Sequence, residues 1–318
     1  MWLVTFDSPL GPRLGIVEGS EVVDANAAYA AYLRAQGVSD AVERAGWEVP
    51  PRARDFLARW PEVAERVKPA VEYALAHRDP WTVIPLERVR LLPPVPDPGK
   101  VICLGLNYRD HAEEARQPLP KAPVLFCKFP TTLIGHEEPI RITRLSDQVD
   151  YEAELAVVVG RAGRYVPEEE AMRCVAGYSL LNDVSVRDYQ RAVSQWTAGK
   201  NFYRSTPFGP WIVTADEIPD PHDLELELRL NGEVMQRART SEMIFSIPRI
   251  VSFVSQTCGI EPGDVIATGT PAGVGFVRNP PVFLRPGDRV VVRASRIGEL
   301  ANPVVREEER TDGAWRGS

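Results

Sequence analysis

Hydrophobic residues along the chain follow two different patterns, and the change between them falls near residue 100. Over residues 26–37 and 51–78, Ala, Leu, Val and Trp recur at three- and four-residue spacing, which predicts helices. Residues 1–25 instead combine short apolar runs with Gly and Pro, which indicates short strands and turns. The pattern therefore predicts a small α+β N-terminal domain over residues 1–95.

Beyond residue 100, apolar β-rich runs alternate with Gly and Pro turns. These runs are VICLG, PVLF, ELAVVVG, SLLND, PWIVT, LELELRL, DVIAT and DRVVVRA. Strict alternation in LELELRL, followed by Asn231-Gly232, is the strongest hairpin signal in the chain. The proline-rich residues 91–100 suit a linker or an extended crossing segment. The protein is therefore predicted to be α+β but predominantly β, with a second, larger domain over residues 96–318.

Charge and hydropathy exclude several classes of function. The 318 residues include 37 Lys and Arg against 44 Asp and Glu, which gives a net charge of −7. This balance disfavours a nucleic-acid or anionic-membrane partner, because phosphate binding needs a basic surface. The sequence contains no run of about 18 apolar residues. Its N-terminal residues also lack the basic and apolar regions of a signal peptide, so a cytoplasmic location is expected.

The four cysteines lie far apart, each inside an apolar run and without a CxxC pair. They are Cys103, Cys127, Cys174 and Cys258. This distribution predicts buried, reduced thiols. A disulfide remains possible from the sequence alone.

Two carboxylates precede one of the apolar runs. In DYEAELAVVVG, Glu152 and Glu154 are two positions apart, so both side chains point to the same face of a strand. The run that follows is apolar on both faces, as in a strand within a sheet. Burial of two like charges there is costly unless a cation compensates them. A solvated edge strand is the alternative for this segment taken alone.

A third acid, Asp183, follows the apolar run SLLN and precedes a predicted helix. By itself it is typical of a helix N-cap. Together with Glu152 and Glu154 it would complete a set of three carboxylates. Ligation by carboxylates without His or Cys favours Mg²⁺, Mn²⁺ or Ca²⁺ over Zn²⁺.

A histidine and a glutamate lie three positions apart in the segment GLNYRDHAEE, which follows a predicted strand and enters a helix. His111 and Glu114 would share a helix face, where the carboxylate can orient the imidazole for activation of water. An incidental surface pair would have the same spacing. Asn107 or Asp110 is the candidate cap of this helix.

Lysine is scarce in this chain, with five residues against 32 arginines. Lys128 and Lys200 lie beside apolar or aromatic residues in LFCKFP and TAGKNF, which favours binding of a substrate carboxylate or an enolate oxygen. A surface lysine with a covered stem is the alternative for each. Residues 267–275, ATGTPAGVG, form a Gly-rich loop whose backbone N–H groups and Thr270 could bind a carboxylate.

Taken in order along the chain, these motifs resemble the fumarylacetoacetate hydrolase family over about residues 98–305. The motifs that carry the resemblance are GLNYRDHAEE, PVLFCKFP, DYEAELAVVVG, GYSLLNDVSVRDYQ, GKNF, GPW, NGE and PGDVIATGTPAGVG. The resemblance is to the bacterial branch of acylpyruvase-like and 2-hydroxyhepta-2,4-diene-1,7-dioate isomerase-like proteins. It implies a mixed β-roll or β-sandwich with a small N-terminal α+β domain, a homodimer, and a bound Mg²⁺, with Mn²⁺ or Ca²⁺ as alternatives.

The resemblance also implies a role for individual residues. The metal ligands would be Glu152, Glu154 and Asp183, the catalytic residues His111, Glu114 and Lys200, and the substrate-binding residues Lys128, Arg187, Gln190, Gly269 and Thr270. The implied activity is hydrolysis of a C–C bond in a 2,4-dioxo acid, of the acylpyruvate or fumarylpyruvate type, through a metal-stabilised pyruvate enolate. Oxaloacetate decarboxylation, dienoate isomerisation and dehydration or hydrolysis of 2-keto-3-deoxy sugar acids use the same chemistry, and a non-catalytic binding protein is a further alternative. A small 2-oxo acid is the expected partner.

Overall fold

The computed structural model describes residues 1–307, and statements on the fold refer to that range. The helices are α1 (Ala25–Ala35), α2 (Ala41–Glu48), α3 (Ala53–Leu57), α4 (Glu62–His77), α5 (Arg109–Glu114), α6 (Arg187–Arg191), α7 (Thr197–Lys200) and α8 (Ile247–Thr257). The strands are β1 (Trp2–Phe6), β2 (Arg13–Glu18), β3 (Glu21–Asp24), β4 (Val83–Pro85), β5 (Leu91–Leu92), β6 (Val101–Gly105), β7 (Val124–Lys128), β8 (Leu133–Ile134), β9 (Ile140–Ile142), β10 (Val149–Asp150), β11 (Ala153–Val159), β12 (Val175–Asn182), β13 (Ser185–Val186), β14 (Thr206–Thr214), β15 (Glu225–Leu230), β16 (Glu233–Arg239), β17 (Val265–Ala267), β18 (Arg289–Ala294) and β19 (Gly298–Arg306). Strands contribute more residues than helices, which confirms the predicted class.

A mixed sheet of twelve strands runs through the molecule. Its order is β4-β3-β2-β1-β14-β12-β11-β17-β6-β7, while β5 pairs with β1 and β8 with β14. Strand β11 lies between β12 and β17, and all of its residues are buried. A strand in this position is covered on both faces, which is why its sequence is apolar at successive positions. The structure therefore supports a buried strand at Glu154 and not a solvated edge.

Five further strands form a second sheet, in the order β16-β15-β18-β19-β9. Apolar side chains from β15 and β18, such as Leu228 and Val292, share one hydrophobic core with Leu155 and Val157 of β11. Two sheets that face each other across a common core form a sandwich. The predicted mixed β-roll or β-sandwich is thus confirmed.

The first 95 residues extend the large sheet. Strand β1 pairs with β14, with Leu3 opposite Ile212. Helices α1 and α4 pack against each other, and their side chains Leu33 and Val67 belong to the same hydrophobic core as Phe208 of β14. Sheet and core both run across the predicted domain boundary at residue 95, which stays a prediction.

Turns and helix ends follow the local sequence with two differences. The Asn231-Gly232 turn joins β15 to β16 with φ values of 53° and 88°, as the hairpin signal predicts. The helix predicted over residues 51–78 is divided into α3 and α4, because Pro61 lacks the N–H that would continue the helix. Helix α2 lies outside the predicted helices. None of the helices within residues 1–307 has the length and apolar character needed to cross a membrane.

All four cysteines are free, but only two are buried. Cys103 and Cys174 lie in the interior, whereas Cys127 and Cys258 are exposed. The expectation of four buried thiols is therefore wrong for this second pair. Cys127 lies on β7, the last strand of its sheet, and Cys258 directly follows α8, so neither is covered by a neighbouring element.

Candidate active site and metal centre

Three carboxylates meet where β11 begins and β12 ends. The antiparallel register places Ala153 opposite Asn182, and the Asp183 N–H donates to the carbonyl oxygen of Glu152 at 2.9 Å. Each of Glu152, Glu154 and Asp183 offers an oxygen within 4.8 Å of those of the other two. The structure thus brings together the three predicted metal ligands. We call these three residues the carboxylate cluster.

Two lysines bind the carboxylate cluster. Lys200, at the end of α7, donates from Nζ to Glu152 Oε2 at 2.8 Å and to Asp183 Oδ2 at 2.7 Å. Lys128, at the end of β7, donates to Asp183 Oδ1 at 2.7 Å and to the Val184 carbonyl at 3.1 Å. Burial disfavours the charged form of Lys200, but Asp183 and Glu152 outweigh burial and raise its pKa. Both ammonium groups therefore belong to a buried ion-pair network.

The structure changes the interpretation of Asp183 and adds an observation on Lys128. Asp183 does not cap a helix, because α6 begins four residues later with Val186 at its N-cap. Lys128 is completely covered beneath Asp183 and is absent from the cavity wall, whereas Lys200 lies on that wall. Contact of Lys128 with substrate stays a prediction, and the contacts seen in this structure hold Asp183.

A buried arginine closes the other side of Glu152. Arg187 donates from Nε to Asp150 Oδ2 at 2.8 Å, and its Nη1 lies 2.7 Å from Glu152 Oε1 and 2.9 Å from Gln190 Oε1. The centre of the Phe276 ring lies 4.5 Å from the guanidinium carbon of Arg187. The remaining nitrogen, Nη2, is buried without a hydrogen-bond partner. An unpaired guanidinium N–H beside a cavity can donate a hydrogen bond to a carboxylate oxygen.

Glu152 and Glu154 share a strand face but differ in electrostatic environment. Burial disfavours ionisation of Glu152, but Lys200 and Arg187 outweigh burial and lower its pKa to about 2. At Glu154, burial is reinforced by Asp183 and Glu152, so the pKa lies well above its usual value. Glu154 Oε2 accepts a hydrogen bond from the Gly269 N–H at 2.9 Å.

The carboxylate cluster fits a divalent metal ion. Glu154 forms no ion pair with a Lys or Arg of the described residues, so the excess of negative charge lies at its position. The negative charges of the three carboxylates repel one another, and a positive charge between them would offset this repulsion. Three buried carboxylates without His or Cys match the preference of Mg²⁺, Mn²⁺ or Ca²⁺.

Helix α5 places His111 on the cavity wall and Glu114 next to it. His111 Nδ1 lies 3.8 Å from Glu114 Oε2, too far for a hydrogen bond, and is buried without a partner. Glu114 instead accepts a hydrogen bond from the Gly273 N–H at 3.0 Å. The predicted pair is therefore adjacent, and Glu114 connects α5 to the Gly-rich loop.

Several buried polar residues that hold this loop were missed by the sequence analysis or given another role. Asn107 is not a helix cap, because Tyr108 occupies that position; its amide donates to the Thr268 carbonyl at 2.7 Å. Asp150 accepts a hydrogen bond from the Gly275 N–H at 2.8 Å, and Gln236 donates to Thr270 Oγ1 at 2.8 Å. Each directly follows an apolar residue, and that position alone does not distinguish it from the other polar residues of the chain.

The backbone at position 269 requires a residue without a side chain. Its φ is +95°, and a Cβ there would lie 2.7 Å from the Cβ of Asn107. Only glycine combines this backbone conformation with so close an approach. The loop can therefore direct its N–H toward Glu154, so the contact of Gly269 in this structure is with the carboxylate cluster.

A cavity of about 450 Å³ opens beside the carboxylate cluster. Its polar lining includes His111, Glu152, Arg187, Gln190, Lys200 and Thr270, and its aromatic lining includes Phe126, Trp196 and Phe276. A larger cavity of about 720 Å³, beside Trp211 and His136, contains none of the predicted site residues. The chemistry therefore points to the smaller cavity, whose volume suits a small-molecule ligand.

Comparison with known sequences agrees with this arrangement. The profile of the family described as Fumarylacetoacetate (FAA) hydrolase C-terminal matches residues 100–305. The chain belongs to the fumarylacetoacetate hydrolase family. The carboxylate cluster, α5 and the Gly-rich loop all lie within the matched residues.

Relatives in the fumarylacetoacetate hydrolase family carry different activities. A mitochondrial oxaloacetate tautomerase of Bos taurus is 40% identical over 311 residues, covering 96% of this chain and 92% of that protein. The structure of maleylpyruvate hydrolase from Sphingobium sp. SYK-6, solved with manganese(II) and pyruvate, is 32% identical with a TM-score of 0.72, covering 97% of this chain and 100% of that one. The 2-hydroxyhepta-2,4-diene-1,7-dioate isomerase of Mycobacterium marinum is 33% identical with a TM-score of 0.71 and the same coverage. Family membership alone therefore does not choose the reaction.

Proposed function

We propose that the protein is a metal-dependent enzyme that transfers a proton at the carbon beside the 2-oxo group of a 2-oxo dicarboxylic acid. The proposed activity is keto–enol tautomerisation of oxaloacetate. The observation that carries the proposal is His111, which lines the cavity beside Glu152 while its Nδ1 has no hydrogen-bond partner. Imidazole can accept and return a proton near neutral pH. The 40% identity to an oxaloacetate tautomerase over nearly the whole chain supports the same activity.

The cavity wall also offers groups for a substrate with two carboxylates. Arg187 Nη2 is an unpaired donor, and the exposed Arg191 lies on the same wall. Thr270 lines the cavity together with Gln190. We expect one substrate carboxylate to lie toward Thr270 and the other toward the two arginines, because each offers donors for an anionic oxygen.

The carboxylate cluster would hold the metal ion, for which we propose Mg²⁺, with Mn²⁺ or Ca²⁺ as alternatives. When bound, the ion would supply positive charge that stabilises a negative oxygen of the substrate. Lys200 adds a second positive charge on the cavity wall, which favours the oxygen that becomes negative when C3 loses a proton. His111 takes that proton while the C–H electron pair forms the C2–C3 double bond. The C2=O π electrons move to the 2-oxo oxygen, and protonated His111 then returns the proton to that oxygen to complete the enol.

A second candidate is hydrolysis of the C–C bond in a 2,4-dioxo acid such as an acylpyruvate. The observation in its favour is the approach of His111 and Glu114 to 3.8 Å, since a movement of about 1 Å would form the hydrogen bond of a water-activating pair. The similarity to maleylpyruvate hydrolase supports this candidate. Tautomerisation ranks first because it needs a proton carrier but no activated water. Activation of water would need Glu114 to bind His111, whereas in this structure Glu114 accepts a hydrogen bond from the Gly273 N–H.

Enol-oxaloacetate provides the direct test. With Mn²⁺ or Mg²⁺, the protein should accelerate decay of the enol absorbance, and EDTA should abolish the acceleration. His111→Ala should lower kcat by about 100-fold or more, because it removes the proton carrier. His77→Ala, an exposed position at the end of α4, is the matched control and should keep wild-type kcat.

Pyruvate release from acetylpyruvate, followed with lactate dehydrogenase, distinguishes the two candidates. Accelerated decay of enol-oxaloacetate without pyruvate release from acetylpyruvate would support tautomerisation. Pyruvate release from acetylpyruvate without accelerated decay of enol-oxaloacetate would support hydrolysis. If the metal-loaded protein accelerates neither reaction, both candidates are wrong.

A further inference from the structure

Gln236 connects the smaller sheet to the Gly-rich loop and to the start of β11. It lies on β16 of the smaller sheet and is 1% exposed. Its Oε1 accepts a hydrogen bond from the Ala153 N–H at 2.9 Å, between Glu152 and Glu154. Its Nε2 donates to Thr270 Oγ1 and to the Pro271 carbonyl, both at 2.8 Å. One amide thus contacts the backbone of the carboxylate cluster and the Gly-rich loop.

The orientation of this amide is determined by its backbone neighbours. Ala153 offers only an N–H, which requires the amide oxygen, and Pro271 offers only a carbonyl, which requires the amide nitrogen. The flip that is often uncertain for glutamine is therefore settled by chemistry. The second hydrogen of Nε2 then has to point to Thr270.

The direction of the hydrogen bond at Thr270 follows. Because Gln236 donates, Thr270 Oγ1 accepts, and its own hydrogen is left for another partner. The structure gives this hydroxyl no further bond with the described residues, and Thr270 lies on the cavity wall. The hydroxyl therefore offers a hydrogen to an acceptor in the cavity.

We propose that Gln236 is a positioning residue that makes Thr270 a hydrogen-bond donor to the carboxylate of the substrate. The inference rests on the proposed function, because it assigns the anionic oxygen to a 2-oxo acid. Gln236 itself touches no substrate, since it lies behind Thr270. It acts by setting which way one hydroxyl points.

The test is a double-mutant cycle read by binding of oxalate to the Mn²⁺-loaded protein. Gln236→Glu keeps the size of the side chain and the acceptor for Ala153. A carboxyl group has at most one hydrogen where the amide has two, and the Pro271 carbonyl competes for it. Thr270 then turns its own hydrogen toward residue 236. We expect oxalate affinity to fall about tenfold, the effect of about one hydrogen bond to a charged group.

Coupling to Thr270 separates positioning from a merely structural role. In the Thr270→Val background, which has no hydroxyl, Gln236→Glu should change oxalate affinity less than twofold. In the Thr270→Ser background, which retains the hydroxyl, the loss of about tenfold should return. Mn²⁺ affinity, measured without oxalate, should stay within about twofold of wild type. Gln256→Glu, an exposed position on α8, is the matched control for the change of residue type.

Three outcomes would overturn the inference. Unchanged oxalate affinity in Gln236→Glu would show that the residue does not orient Thr270. Equal losses in the wild-type and Thr270→Val backgrounds, or a parallel loss of Mn²⁺ affinity, would show that Gln236 only supports the fold around Ala153. Failure of the wild-type protein to bind oxalate with Mn²⁺ would overturn the proposed function and the donor role of Thr270 together. The first two results leave the proposed function intact.

Discussion

The carboxylate cluster and helix α5 border the same cavity but are built differently. Each ammonium or guanidinium contact with the cluster is 2.8 Å or shorter, and the groups come from ends of strands and helices that a large sheet supports. On the six-residue α5, His111 and Glu114 lie 3.8 Å apart, and Nδ1 of the imidazole has no partner. The carboxylate cluster is thus preorganised by ion pairs, whereas the proposed proton carrier His111 lies on a short helix held by the Gly-rich loop.

Glu154→Gln should give the largest effect, because it removes one negative charge from the carboxylate cluster without changing the shape of the side chain. Mn²⁺ affinity should fall about 100-fold or more, as a neutral amide replaces a charged ligand. Isothermal titration calorimetry measures this loss. Glu233→Gln, at an exposed position of β16, is the control and should bind Mn²⁺ like the wild type.

The same substitution should stabilise the metal-free protein. The pKa of Glu154 is raised by burial, Asp183 and Glu152, so its stabilising contribution is complete below the unfolded-state pKa and is lost as pH rises through the folded-state pKa. Above about pH 4.5, the ordinary Glu value, metal-free wild type should lose stability relative to Glu154→Gln. Thermal unfolding in EDTA across pH tests this. A lower melting temperature for the variant at neutral pH would contradict the prediction.

Lys200→Met and Lys128→Met should separate stability from turnover. Both substitutions remove a buried ammonium from Asp183, so each should lower the free energy of unfolding of the metal-free protein by about 3 kcal/mol. Only Lys200 also reaches the cavity wall, so kcat should fall at least about tenfold further in Lys200→Met than in Lys128→Met. Urea unfolding and steady-state kinetics measure the two effects. Equal losses of kcat would mean that both lysines act only by holding the cluster.

Glu114→Gln should give the smallest effect if the reaction is tautomerisation, and it distinguishes the two candidate reactions. The amide oxygen still accepts from the Gly273 N–H, but the negative charge near His111 is removed. For tautomerisation we expect a loss of kcat of less than about tenfold, because the charge lies beyond hydrogen-bond distance. For hydrolysis the loss should reach about 100-fold, since the pair would activate water. Glu113→Gln, exposed on the same helix, should retain wild-type activity.

Much of the candidate site could be predicted from local sequence. The two-residue spacing of Glu152 and Glu154 already places them on one strand face, and the spacing of His111 and Glu114 places them on one helix face. The order of the motifs along the chain identified the family that the comparisons confirm. The homodimer, the cytoplasmic location and the domain boundary at residue 95 stay predictions.

Contacts between distant residues could not be predicted in this way. A substrate contact is predicted for Lys128 from the sequence, and only the fold shows that its Nζ, at the end of β7, donates to Asp183. Gln236 shows no functional pattern in NGEVMQ, because its partners Ala153 and Thr270 belong to other strands and loops. A buried polar residue acquires its role from whatever donor or acceptor the fold brings to it.

The sequence by itself determined the local elements and the types of chemistry that they carry. Alternation and turn residues act over a few positions, so the strands, the Asn231-Gly232 hairpin and the set of carboxylates are encoded locally. Only the tertiary structure decided which charges are paired, because strand register and sheet order bring residues from distant parts of the chain within hydrogen-bond distance. That pairing leaves the negative charge of Glu154 without a Lys or Arg partner among the described residues, and the same sheet order brings Gln236 Nε2 to 2.8 Å from Thr270 Oγ1.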